Sequence, residues 1–331
     1  MSTIIKSNME AGNIHLPKDN ELPLSFEFTK SGDVILALKL KVVEGGIKVR
    51  TTNADDGVVI YGTTYKDGMS FGAPEHQYGD NKRVVFKNVK VGEKRTVFLN
   101  CLDRLEKIQI NGNSTTADYN CVFNMPIIKY LALCPNLIFL GFGQPSHIDT
   151  EKVDMYNLPL LSKLEGLELF SSGGLIYPPA YLFYNKNMKS IRMAKIGGID
   201  LSYLYKNSPN LESIDIQAMG NCIDNDISFL TDTNCNTLII RSGSALFVSY
   251  YWGGGRNLMF KNALNNISVE QMSSNEDYAD ILCVLSKSSF NEGATVTIKS
   301  MTINEKDEEL VNAINTLKGK CTLSINGQIV A

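Results

Sequence analysis

The sequence contains no apolar run long enough to cross a membrane as a helix, so insertion into a bilayer is not expected. It lacks a basic run and an acidic tail, and its formal charge is only −3. Phosphate backbones need a basic footprint, so nucleic acid is not an expected partner. Histidine is scarce: His15, His76 and His147 lie far apart, and no His-x-x-x-His pair offers a metal site. There is no G-x-S-x-G elbow and no P-loop, and the glycine run Gly253–Gly255 lacks a following Lys-Ser/Thr. No catalytic residue, metal site or cofactor is therefore expected. Glu165 and Glu168 are spaced for a strand surface, whereas a glycosidase pair would need a deep cleft. Asp224 and Asp226 lack an EF-hand-like frame for a cation.

Cysteine is present without a pattern. Cys101, Cys121, Cys134, Cys222, Cys235, Cys283 and Cys321 form no CxxC, and their number is odd. They read as buried free thiols acting as small hydrophobes, which fits a reducing compartment. Residues 1–20 have no apolar h-region and no periodicity, so they read as an arm rather than a secretory signal. The chain is then expected to stay in the cell that makes it, or to leave by lysis or a dedicated machine.

What is present begins at residue 21. Phe26 and Phe28, then Val34, Leu36, Leu38 and Leu40, alternate with polar residues. Ile47 and Val49, Val58 and Ile60, Val84 and Phe86, and Val97 and Leu99 do the same, with turn signals between the runs. Period-two runs with frequent turns predict an antiparallel β-sandwich over 21–100.

From residue 101 a different unit takes over. A phrase of the form L-x-x-L-x-L recurs, starting as Leu105-Ile108-Ile110, Leu137-Leu140-Phe142, Leu164-Leu167-Leu169 and Met188-Ile191-Met193. It continues as Leu211-Ile214-Ile216, Cys235-Leu238-Ile240, Leu264-Ile267-Val269, Gly293-Val296-Ile298 and Lys320-Leu323-Ile325. Steps of 32, 27, 24, 23, 24, 29, 29 and 27 residues separate the third anchors. That period predicts stacked parallel strands. Helices are expected at Ile127–Leu133, Ala180–Tyr184, Leu201–Lys206, Tyr278–Ser286 and Glu308–Leu317, the last with Asn304 as N-cap and Gly319 near its C-cap.

These phrases, with Cys134-Pro-Asn-Leu and Ser208-Pro-Asn-Leu entering two of them, resemble leucine-rich repeats of the helix-backed type. The Asn ladder of such repeats is absent after the first unit, which implies irregular curvature. Leu24-Ser-Phe-Glu-Phe-Thr29, Gly46-Ile-Lys-Val49, Ala54-Asp-Asp-Gly57 and Glu75-His-Gln-Tyr78 resemble the PKD-like, immunoglobulin-type sandwiches that precede leucine-rich repeats in Bacteroidetes and phage proteins. Thr51 and Thr52 stand where that family usually has a Trp. The expected fold class is α+β: an arm at 1–20, the sandwich at 21–100, and an irregular leucine-rich-repeat α/β solenoid of about nine parallel strands at 101–331.

Residues between the anchors should face outward and form an array. Its middle is charged, through Glu165, Glu168, Arg192, Glu212 and Asp215, and its C-terminal part is Asn, Thr and Ser. Two readings stand: a recognition face, or a solvated sheet whose charges pair across strands. Ile138, Phe139 and Ile239 do not suit solvent and point to cover by the first module or a partner. Between the sixth and seventh phrases, Phe247, Tyr250, Tyr251 and Trp252 precede the three glycines. These rings either anchor a partner or sugar, or pack onto the convex side. The candidate contacts are thus Phe139, Glu165, Glu168, Arg192, Glu212, Asp215, Phe247, Tyr250, Tyr251 and Trp252.

The resemblance implies a non-enzymatic structural or adhesion protein, in the first place a phage virion component contacting other virion proteins or a host surface glycan or protein. It leaves self-association open. The alternatives are a bacterial cell-surface leucine-rich-repeat adhesin and, remotely, a carbohydrate-active enzyme.

Overall fold

The computed structural model describes residues 18–29, 31–60, 62–71, 82–111, 121–123, 130–131, 133–142, 163–170, 185–194, 208–217, 226–241 and 250–330. The arm up to residue 17, all three histidines, Phe247, Asp224, Cys222 and the expected helices at Ala180–Tyr184 and Leu201–Lys206 lie outside them.

The chain is α+β with mixed sheets. Its first eight strands are β1 (Glu21–Phe28), β2 (Gly32–Val42), β3 (Ile47–Thr51), β4 (Gly57–Ile60), β5 (Thr63–Tyr65), β6 (Ser70–Phe71), β7 (Lys82–Val89) and β8 (Lys94–Asn100). Every alternating run of the sequence is a strand, and its apolar set is buried. Phe86 on β7 meets Phe26 and Phe28 of β1 edge-to-face, with centroids 5.4 and 5.1 Å apart. Two sheets thus close over one aromatic core, each ring contributing about 1.5–3 kcal/mol by burial.

The acidic turn has a structural role. Asp56 is fully buried, and its Oδ1 accepts from Arg95 Nη1 at 2.9 Å and from the Lys87 amide at 3.0 Å. Burial pushes the Asp56 carboxyl upward, against the pull of the Lys87 amide and Arg95. The next residue is glycine because a Cβ there would lie 2.5 Å from the Tyr65 carbonyl oxygen.

The nine repeat phrases follow as β9 (Leu105–Asn111), β11 (Phe139–Phe142), β12 (Gly166–Phe170), β13 (Ser190–Ala194), β14 (Ser213–Gln217), β15 (Thr237–Arg241), β16 (Leu264–Val269), β17 (Phe290–Ile298) and β18 (Thr322–Ile325). A short β10 (Cys121–Phe123) intervenes, and β19 (Gln328–Ile329) ends the series. β9 and β11–β18 pair in parallel and in register: Ile110, Phe142, Leu169, Met193, Ile216, Ile240, Val269, Ile298 and Ile325 are matched, each to the next. A one-residue slip would turn every anchor to water, so the apolar pattern fixes the register.

The boundary expected at residue 100 is no gap in the hydrogen bonding. β9 pairs in parallel with β11 on one side and antiparallel with β2 on the other. One fourteen-stranded sheet therefore runs from β5 to β19. β10 returns to the first module and pairs with β1. Arg104 staples this junction, donating to the carbonyls of Glu44, Gly46 and Asn100 at 2.8, 3.0 and 2.9 Å. The two outermost strands are only three and two residues long, which gives passing chains little edge to pair with.

Two described helices back the last strands, α1 (Asn275–Lys287) and α2 (Glu308–Lys318). Ser274 caps α1 by accepting from the Asp277 amide at 3.2 Å. The N-cap of α2 is Asp307, which accepts from the Leu310 amide at 3.1 Å, and not Asn304 as the sequence suggested. Asn304 instead forms the preceding turn, accepting from the Lys306 amide. Of the stretch expected to be helical at Ile127–Leu133, Tyr130 and Leu131 are described and helical.

Candidate functional site: the outward face of the parallel strands

The middle anchor of every phrase, from Ile108 and Leu140 to Val296 and Leu323, is buried, and residues next to it in the strands face the other way. Gly293 and Lys320, expected as first anchors of the last two phrases, are exposed instead. Two outward rows result. The first holds Phe139, Gly166, Ser190, Ser213, Thr237, Asn266, Thr295 and Thr322, matched strand by strand. The second, two residues along each strand, holds Gly141, Glu168, Arg192, Asp215, Ile239, Ser268, Thr297 and Ser324.

The charges of the second row pair with one another. Arg192 donates Nη1 to Glu168 at 3.1 Å and places Nε 3.0 Å from Asp215. Arg241, diagonal to Asp215, grips both its carboxylate oxygens at 2.8 Å. Glu270 and Lys299 continue the line as an ion pair, and Lys39 of β2 stands at its other end within the field of Glu168. Sign alternates along the path Lys39, Glu168, Arg192, Asp215, Arg241, Glu270, Lys299. Glu165 and Lys189 form a separate exposed pair at 3.0 Å, and Glu212 is exposed beside them. Burial pushes the Glu168 carboxyl upward, against the pull of Arg192 and Lys39. Of the five charged residues singled out in the sequence, Glu168, Arg192 and Asp215 thus pair across strands in the second row, as the solvated-sheet reading has it, while Glu165 and Glu212 precede β12 and β14 and belong to neither row.

Phe139 is half-buried at the N-terminal end of the first row. Its ring occupies the space a side chain at Gly166 would take, and with Gln109, whose Cγ is 2.7 Å from the Cβ position of Gly141, it crowds the place of one there. A Cβ on Gly166 would lie 2.5 Å from Phe139 Cδ2, and one on Gly141 would lie 3.2 Å from Cε1. Glycine weakens a strand interior, and a close approach from above is the usual reason to find it there. The ring therefore reaches sideways from β11 across Gly166 of β12. Gln109, next to Gly141, is only 5% exposed.

The aromatic insertion departs from one of its two expectations. Tyr250 and Trp252 are 3% and 4% exposed, so both pack in the core, as the second of the two readings has it. Trp252 packs on Phe260 with centroids 6.3 Å apart, and its Nε1 donates to the Gly255 carbonyl at 3.0 Å. Its amide donates to Asp277 Oδ1 of α1 at 2.8 Å. Burying a large ring is favourable, and satisfying its one donor removes the cost of doing so. Tyr251, at 41% exposure, remains on the surface.

The glycines after Trp252 serve close approach. A Cβ on Gly253 would lie 2.4 Å from Asp226 Oδ2, and one on Gly254 would lie 2.7 Å from Ser228 Cβ. Asp226 accepts from the Gly253 and Ser228 amides at 2.9 and 2.8 Å, so it organises a turn. No cluster of three metal-ligating side chains occurs among the described residues.

Cys101, Cys134, Cys235 and Cys283 are buried free thiols, and Cys321 is a half-buried one. Burial pushes Cys134 and Cys235 up to about 12 and Cys283 up to about 11.

Sequence reasoning missed Arg256. Its guanidinium lies 2.7 Å from Asp280, grips Asp307 at 2.9 and 2.8 Å, and reaches Glu309 at 3.4 Å. No local signal carried it: Arg256, Asp280 and Asp307 lie 16, 11 and 9 residues past the third anchors Ile240, Val269 and Ile298, so the repeat period alone does not match them.

No family model, no curated protein and no solved structure matches this chain.

Proposed function

We propose that this chain is a non-enzymatic recognition protein, a leucine-rich-repeat solenoid that displays its outward sheet face, carried on an N-terminal PKD-like sandwich as a component of a phage particle. The observation that carries the display reading is the register of the nine parallel strands, which sets two continuous rows of outward, mostly polar side chains on one face. Such a face is a by-product of stacking that needs no further folding to bind. The sandwich supports an attachment role because its sheet continues into the display sheet through β9 and fixes the one to the other. The virion setting rests on the resemblance of the sandwich-plus-repeat layout.

Mass spectrometry of particles purified from a producing culture tests the setting, with this chain expected at fixed stoichiometry to the coat protein. Its absence from washed particles overturns the virion reading. Binding of the purified chain to host cells tests display, and a chain that binds neither cells nor particle proteins overturns it.

A further inference from the structure

The first outward row changes character along its length. From β13 to β18 it reads Ser190, Ser213, Thr237, Asn266, Thr295, Thr322. In this row six consecutive strands thus present only hydroxyl or amide groups. Strands are about 4.8 Å apart, so the row is a straight track of about 24 Å running across the strands. Thr295 donates to Asn266 Oδ1 at 3.1 Å and Thr237 to Asn236 Oδ1 at 2.9 Å. The hydroxyls of Ser190, Ser213 and Thr322 make no hydrogen bond among the described residues. At the head of the track lies the Phe139 ring, reaching across Gly166, whose Cβ position is 3.0 Å from both Phe139 Cε2 and Ser190 Oγ. The first hydroxyl of the track and the aromatic ring are therefore neighbours.

We infer that this track binds an uncharged linear glycan lying across the strands, with one sugar ring stacked on Phe139. The inference rests on the display reading above and names its ligand class. Hydroxyl and amide groups both donate and accept, as sugar hydroxyls do, so each sugar position can be satisfied in either sense. The Glu168, Arg192, Asp215 and Arg241 charges of the neighbouring row are paired among themselves, so that row does not select an anionic or cationic polymer. A bound peptide strand would instead seek a sheet edge, and a protein partner would seek a cluster of large apolar anchors. The track lies on a face and carries only Phe139 of that kind.

The test uses the full chain and a panel of neutral oligosaccharides of four to six residues, cello-, chito-, malto-, laminari- and manno-series, by calorimetry at low and high salt. At least one series is expected to bind with affinity unchanged by salt. The S190A/S213A/T322V variant is expected to weaken it by roughly tenfold or more, with an unaltered thermal midpoint. Phe139→Leu is expected to weaken it further while keeping the cover over Gly166. Failure of every neutral series, affinity that collapses with salt, or binding untouched in the triple variant overturns the inference. A chain found in particles, or binding cells through protein, while ignoring all five series overturns the glycan track and leaves the display reading standing.

Discussion

Arg256 donates to both carboxylate oxygens of Asp307, at 2.9 and 2.8 Å, across 51 residues of sequence. Asp307 also caps α2, so one carboxylate starts a helix and ties it to the glycine-rich turn after Trp252. Asp280 on α1 completes the clamp from the other helix. Arg256→Ala would leave Asp280, Asp307 and Glu309 facing one another. The expected cost is about 1.5–3 kcal/mol. Hydrogen exchange should accelerate in both helices before it does in β1–β8, and equal acceleration in those strands would contradict a local clamp.

The same pair makes a pH signature. The Arg256 guanidinium, with the Leu310 amide, holds Asp307 below its ordinary carboxylate value of 3.8. A depressed carboxylate contributes stability above the unfolded value and loses it as pH falls through the folded one. Asp307→Asn keeps a capping side chain but removes the charge. The gap in thermal midpoint between wild type and D307N should be full at neutral pH and close as pH drops below 3.8. A gap independent of pH would mean that the ion pair adds nothing.

Trp252 is the single tryptophan, so native fluorescence reports on it alone. Emission should be blue-shifted and resistant to iodide, and should move red on unfolding. Trp252→Ala should cost about 3–5 kcal/mol. An easily quenched native emission would put the ring back on the surface.

Gly166 and Phe139 should be coupled. Gly166→Ala brings a methyl within 2.5 Å of the ring and should destabilise by about 1–3 kcal/mol. In a Phe139→Ala background the same change should cost much less, which a double-mutant cycle measures directly. Additive costs would mean that the ring can swing away freely.

The strands were legible because their signal is local and repeated. Alternation in Val34–Leu40 and the anchors from Ile110 to Ile325 each state which side must leave water. Contacts between turns were not. Nothing near Arg256 announces Asp280 or Asp307, since only stacking brings them together. Trp252 and Tyr251 are adjacent with similar chemistry, yet one is core and one is surface. That choice depends on the Asp277 and Gly255 partners, and no window of sequence around the ring contains Asp277. The cap of α2 fell on Asp307 over Asn304 because a second partner, Arg256, waits there.

The strand β9 belongs to both modules, and this sets how the molecule responds to force. A pull between the sandwich and the far end acts along the hydrogen bonds, at right angles to the strands, over roughly 60 Å of sheet. Bonds loaded in that direction break strand by strand instead of all together. The sheet should therefore peel from its two-residue outer strand inward, yielding in small steps, while the aromatic core beside Phe86 stays shut.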